Sequence, residues 1–212
     1  MASVISILWQ SIDASLSPWI YEKLDRNEEA SVREVTGKVL LIFAVACLLC
    51  TLFSPEIMKV LAPEEYASGI YVIPPVTAGV FFTAMYSVYM RVELFHKQSG
   101  FATIATSIAA LANIILNYVF IRLFGAVAAG YTTMVCYALL ALLHYINIKV
   151  KHYDSAFDNK RFLVIAIIVV FATCFISLTY SLNWIRYALI AVGIVTVIIK
   201  RNNIISAVRM KS

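Results

Sequence analysis

The stretch QSGFATIATSIAALANIILNYVFI, Gln98–Ile121, holds no charged residue. As a helix rising 1.5 Å per residue it reaches about 36 Å, enough to cross the ~30 Å hydrocarbon core of a bilayer. Similar uncharged runs lie on either side of it: Val39–Pro55, Tyr66–Met90, Leu123–Ile148 and Phe162–Ile185, the last broken near Ser181–Asn183. Trp184–Ile199 is shorter and carries Arg186 near its start, and Met1–Tyr21 is apolar apart from Asp13. Trp184–Ile199 spans only ~24 Å, so Arg186, Lys200 and Arg201 are expected to snorkel toward the headgroups. Met1–Tyr21 lacks the basic start and small-residue cleavage site of a signal peptide and reads as a further span. The expected fold class is all-α, a polytopic transmembrane helix bundle of about seven spans.

Composition agrees. Of 212 residues, 62% are apolar and 14% charged, and the mean hydropathy is +0.86. A soluble domain of this size has too little interior to hide so much apolar surface, and disorder requires low hydrophobicity. The net charge of +5 comes from basic residues scattered in short connections, not from a stripe interleaved with aromatics, which excludes nucleic-acid binding. Cys47, Cys50, Cys136 and Cys174 all sit in apolar runs. Cys47-x-x-Cys50 has no second ligand pair and reads as two small hydrophobes, so no metal and no cofactor are expected.

The connections orient the bundle. Of the 17 Lys and Arg residues, only Lys59, Arg122 and Arg186 fall in connections on one side; the other fourteen fall on the alternate side or in the tail. Cytoplasmic loops carry the Lys/Arg excess, so the expected orientation has Met1 outside and the C-terminus cytoplasmic.

Polar residues inside spans are costly and tend to face a bundle interior or a wet cavity. Asp13 reads as the only acidic residue well inside a span. It is either a cation or transport-path group or a hydrated residue near a frayed terminus. Ala102, Thr106, Ala109, Asn113 and Asn117 recur on one helical face, as do Gly130, Thr133, Tyr137, Ala141 and His144. Such faces suit close helix packing with interhelical hydrogen bonds, or they line a hydrophilic cavity. Asp13, Asn113, Asn117, Thr133, Tyr137 and His144 are thus the candidate pathway residues. Pro74-Pro75 reads as a kink or as a helix start. No nucleophile elbow, zinc-protease motif or phosphate-binding loop is present, so a transporter is expected and not an enzyme.

The run Asn113-Ile-Ile-Leu-Asn117-Tyr-Val-Phe-Ile-Arg122-Leu-Phe-Gly125-Ala-Val-Ala-Ala-Gly130-Tyr-Thr-Thr133 resembles bacterial polysaccharide-unit flippases. Those usually show Asn-x-x-Leu-Asn, then Ile-Pro-x-Phe-Gly, then a Gly/Ala-rich helix start; Arg122 stands where they commonly have proline. Leu61-Ala-Pro-Glu-Glu-Tyr66 through Ile73-Pro74, and Ser15-Leu-Ser-Pro-Trp-Ile-Tyr21, are similar too. The likeness runs from about residue 10 to 150. It is to O-antigen or capsule exporters of the multidrug/oligosaccharidyl-lipid/polysaccharide superfamily.

The resemblance implies two six-helix lobes around a central cavity. It also implies movement of undecaprenyl-diphosphate-linked oligosaccharide repeat units to the outer leaflet of the bacterial cytoplasmic membrane. Residues 1–150 would be five spans of the C-terminal lobe, 151–201 a final hairpin and 202–212 a cytoplasmic tail. The chain then looks like a C-terminal half, truncated or split. Its implied partners are membrane lipid, the lipid-linked oligosaccharide, and a separate N-terminal lobe or a second copy. Arg91 and Arg122 are candidates for attracting the diphosphate, since arginine's fork suits phosphate oxygens. The alternatives are another exporter of the superfamily, for drugs or peptidoglycan precursor, or a membrane-embedded polymerase or acyltransferase.

Overall fold

The computed structural model describes residues 2–61, 63, 69–181, 184, 186–188 and 191. The described residues form seven α-helices and no strand. These are α1 (Ala2–Asp25), α2 (Glu29–Leu52), the short α3 (Ser54–Leu61), α4 (Ile73–Phe95), α5 (Ser99–Phe124), α6 (Ala128–Val150) and α7 (Asn159–Leu178). Among the described residues, five segments are long and apolar enough to cross a membrane: α2, Gly69–Phe95 (which contains α4), α5, α6 and Asn159–Ser181, which contains α7. The chain is a polytopic helical membrane bundle. α1 has the length of a span but not the apolarity, because Gln10, Asp13 and several serines interrupt it. Most of Trp184–Ile199, most of Leu61–Tyr66, the 202–212 tail and Met1 lie outside the described residues.

α4 is the central helix and packs against α1, α2, α6 and α7. Its Pro74 and Pro75 fall in the first turn, where an absent N–H leaves no intrahelical bond unmade. The proline pair therefore starts the helix and does not kink it. α4 and α6 run side by side through their whole length, and glycine permits the approach. A Cβ on Gly130 would stand 3.1 Å from Pro75 Cγ, Val72 Cγ1 and the Val72 carbonyl. A Cβ on Gly79 would stand 3.3 Å from the Tyr137 ring and 3.4 Å from Met134 Cα. Around α4 the buried core gathers Trp9, Phe43, Phe81, Val88, Tyr89 and Phe162.

α5 lies at the edge and packs mainly on α6. Only Ala102, Ala105 and Ala109 of α5 are buried, while Ile104, Ile108, Leu111, Ile114 and Ile115 are exposed. In water this face would be an aggregation liability; in a bilayer it meets lipid tails.

The turns after α1, α4 and α6 share one geometry. Asn27, Lys97 and His152 each adopt a positive φ near 60°. In each turn the next residue bonds back five positions: Glu28 to Lys23 O at 2.8 Å, Gln98 to Glu93 O at 2.8 Å and Tyr153 to Ile148 O at 2.9 Å. Shorter bonds nest inside, such as Lys97 N to Leu94 O at 3.0 Å. This is the Schellman helix ending, which satisfies the last carbonyls of the helix. All three turns belong to the lysine- and arginine-rich side. α2 begins at Glu29, well before the apolar run at Val39, because its charged first turns pair along the helix, as Glu34 does with Lys38. After α7 the chain passes into a 3-10 turn at Thr179–Ser181, at the break read from Ser181–Asn183. Arg186, expected to snorkel, is instead buried and paired at 2.5 Å with Glu56 of α3.

Candidate functional site

A seam of polar side chains runs along α4 inside the bundle. On the side facing α1, the Trp9 indole N–H donates to Ser87 Oγ at 3.0 Å. One turn further along both helices the Arg91 guanidinium donates to the Asp13 carboxylate. The two contacts are four residues apart on each helix, so α1 and α4 run parallel here. The Asp13 and Arg91 side chains keep 14% and 25% of their surface exposed. The pair is thus partly shielded.

Two residues past Arg91 the helix has turned about 200°, and Glu93 faces α6. His144 and Asn147, three positions apart on α6, close on it. His144 Nδ1 lies 2.6 Å from Glu93 Oε2, and Asn147 Nδ2 donates to Glu93 Oε1 at 2.9 Å. Glu93 and His144 have no exposed surface. The Tyr86 ring stacks on the imidazole at 5.7 Å and 15°, and Phe101 of α5 meets it edge-on at 5.7 Å. His144 Nε2 is buried without a hydrogen-bond partner. The carboxylate and the imidazole are thus in direct hydrogen-bond contact inside the α4–α6 seam. The arrangement offers no nucleophile.

A third polar chain joins α5 to α6. Thr132 Oγ1 donates to Asn117 Oδ1 at 2.5 Å, and Asn117 Nδ2 donates to Asn113 Oδ1 at 2.9 Å. Beside it, the ends of α5 and α6 frame an open apolar groove of about 440 Å³ between Leu116, Phe120, Phe124, Tyr131 and Val135.

These observations meet one likeness to a known protein. The probable low-salt glycan biosynthesis flippase Agl15 of Haloferax volcanii is 25% identical over 167 residues. The aligned part is 76% of this chain and 34% of that protein, so the chain spans about a third of the length of the curated relative it matches. No family model matches, and no solved structure matches.

The residues singled out in the sequence fall in four places. Asp13 and Arg91 meet each other across α1 and α4, so Asp13 is not an unpaired carboxyl. His144 is in the buried cluster, and Tyr137 stacks on Tyr86 beside it at 6.4 Å. Asn113 and Asn117 are half-buried between α5 and α6. The threonine bonded to them is Thr132, while Thr133 is half-buried without a part in that chain. Arg122 sits apart, exposed, its guanidinium 3.9 Å above the Tyr118 ring. Its attraction to the ring is a cation–π contact.

Sequence reading missed Glu93. The uncharged run stops at Met90, and Glu93 reads as part of the connection, yet α4 continues to Phe95 and the carboxyl is fully buried. Asp13 is therefore not alone as an acid within the bundle. The available signal was the His144/Asn147 pair at i, i+3 near the end of the neighbouring span, two polar groups on one face with no partner on their own helix.

Proposed function

We propose that the chain is part of a flippase that translocates lipid-linked glycan. In the finer form, it moves undecaprenyl-diphosphate-linked oligosaccharide repeat units across a bacterial cytoplasmic membrane for O-antigen, capsule or other surface polysaccharide. The observation that carries this reading is the likeness to the Haloferax flippase along three quarters of the chain. The bundle supports it, since its polar groups lie between helices, where a transporter needs them, and not in an extramembrane catalytic loop.

In this reading the basic side faces the cytoplasm. The bundle acts against a first lobe, supplied by a separate polypeptide or by a second copy, with the two rocking about a site between them. Asn113, Asn117, Thr133 and Tyr137 offer uncharged hydrogen bonds suited to sugar hydroxyls. Arg122 is the exposed cation available to a diphosphate at the outer end of α5. Arg91 serves the diphosphate only by exchanging Asp13 for phosphate oxygens.

Complementation tests the proposal. In a strain that lacks its flippase but makes the matching repeat unit, the complete protein restores surface polysaccharide. An expressed, membrane-inserted protein that leaves the repeat unit on the inner leaflet overturns the reading.

A further inference from the structure

We propose that Glu93, His144 and Asn147 form a proton-binding site at the α4–α6 contact, and that gain and loss of this proton sets whether the inner ends of the two helices stay packed.

With Glu93 ionised and His144 neutral, the cluster carries one negative charge with no exposed surface. Asn147 eases it with a hydrogen bond, 2.9 Å to Oε1, but supplies no positive charge. A net charge in a dry interior is costly unless paired. One added proton removes it. The proton enters at Nε2, and the Nδ1 hydrogen either stays, giving carboxylate with imidazolium, or moves to Oε2, giving carboxylic acid with neutral imidazole. Both products are uncharged overall, and only N–H and O–H bonds form or break. The tightly closed cluster, with 2.6 Å between Nδ1 and Oε2, suits the protonated form.

His144 Nε2 supplies the second observation. It is buried and without a partner, although an imidazole nitrogen is a hydrogen-bonding group in every protonation state. An unmet polar atom beside a shared proton marks where water reaches the pair when the helices part. The imidazole can then relay between its two nitrogens, the unpartnered Nε2 and the Nδ1 that meets Glu93.

The surroundings leave this charge uncompensated. α4 itself contributes Tyr86, α6 contributes Tyr137, and α5 contributes the uncharged Phe101. The Asp13–Arg91 pair, bridging α1 and α4, engages its own partners. Among the described residues, α2 and α7 give Glu93 and His144 no hydrogen bond or ion pair. Loss of the proton therefore favours a wetter arrangement. The glycine contacts at Gly79 and Gly130 hold the other end of the α4–α6 seam, so separation falls at the inner end.

The test uses the full chain reconstituted in lipid vesicles, titrated across about pH 5–8, the range in which imidazole commonly exchanges protons. Infrared difference spectra report the carboxyl, and nitrogen-labelled histidine spectra report His144, identified by its loss in His144→Gln. The expected result is one transition in which both groups change together. Glu93→Gln, close in shape and able to keep the bond from Asn147, removes the carboxyl change and displaces the His144 transition. If the wild-type pair keeps one protonation state throughout, the proposal is overturned, whether or not the variants insert. An unaltered His144 transition in Glu93→Gln overturns it as well.

Use of the site in transport rests on the flippase reading above. In the complete flippase, glycan flipping should respond to pH across the same range, and Glu93→Gln should remove that response. Absence of flipping in the wild type counts against the flippase reading alone and leaves the spectroscopic result to decide the proton site.

Discussion

Asp13 and Arg91 show how much one pairing changes a residue's meaning. As a lone carboxyl in lipid, Asp13 would be driven to its neutral form. Bound by Arg91, it joins α1 to α4 as an ion pair. Asp13→Ala leaves a partly shielded guanidinium without its anion. Breaking a fully buried pair costs ~3–5 kcal/mol and an exposed one under about 1, so a loss of about 1–3 kcal/mol is expected here. Thermal unfolding in detergent checks it, and Asp13→Ala/Arg91→Met should recover part of the loss. Lys97 offers the opposite sign. Its left-handed backbone costs a non-glycine residue about 1 kcal/mol, so Lys97→Gly should raise the unfolding midpoint. A fall would mean that the Lys97 side chain contributes more than its backbone costs. Beside the first such turn, the Lys23 ammonium, 2.8 Å away, holds the Glu28 carboxyl below its usual 4.5. The small stabilisation this gives is present at neutral pH and fades as pH falls through the lowered value.

At the scale of elements, the α4–α6 seam governs the bundle. Both glycines lie where backbone and ring atoms of the other helix already touch. Gly130→Val has no flexible neighbour to displace and should cost about 1–3 kcal/mol, the usual range for overpacking. Gly100→Ala is the matched control, because nothing lies within 4 Å of its added Cβ. Equal melting temperatures for the two variants would argue against close packing of α4 on α6. The three Schellman turns make the same point about connections: on the basic side, α1–α2 and α4–α5 are joined by sharp reversals that leave little chain outside the membrane.

For the whole molecule, the arrangement of charge predicts topology. Fusions to alkaline phosphatase and to a fluorescent protein at the α1–α2, α4–α5 and α6–α7 turns should all be fluorescent and lack phosphatase activity, because these turns hold the Lys/Arg excess. Phosphatase activity at any one of them would break the common sidedness. A second expectation concerns the chain alone. α5, with the half-buried Asn113 and Asn117 and the exposed Arg122, lies at the edge of the bundle, where a partner would cover its outer face. Expressed by itself, the chain should insert and self-associate without flipping glycan. Flipping by this chain in proteoliposomes would show that two copies suffice.

The helical membrane class was legible in the residues because it rests on a property local to the chain; the sidedness of the connections is an expectation of the same local kind. Hydropathy sums along a segment, and Lys/Arg bias is read loop by loop. Pro74-Pro75 was left open between kink and start, and the structure places both in the first turn of α4. The candidate site was legible only in pieces. His144, Asp13 and Arg91 stood out, but their partners did not. Glu93 lies 51 residues from His144 and Asp13 lies 78 from Arg91. The approach of α4 to α6 at Gly79 and Gly130, and of α4 to α1 at Ser87 and Arg91, exists only in the packed bundle. Burial completes the difference: the same glutamate is an ordinary loop acid if the helix ends at Met90, and a buried partner of His144 and Asn147 once α4 runs on to Phe95.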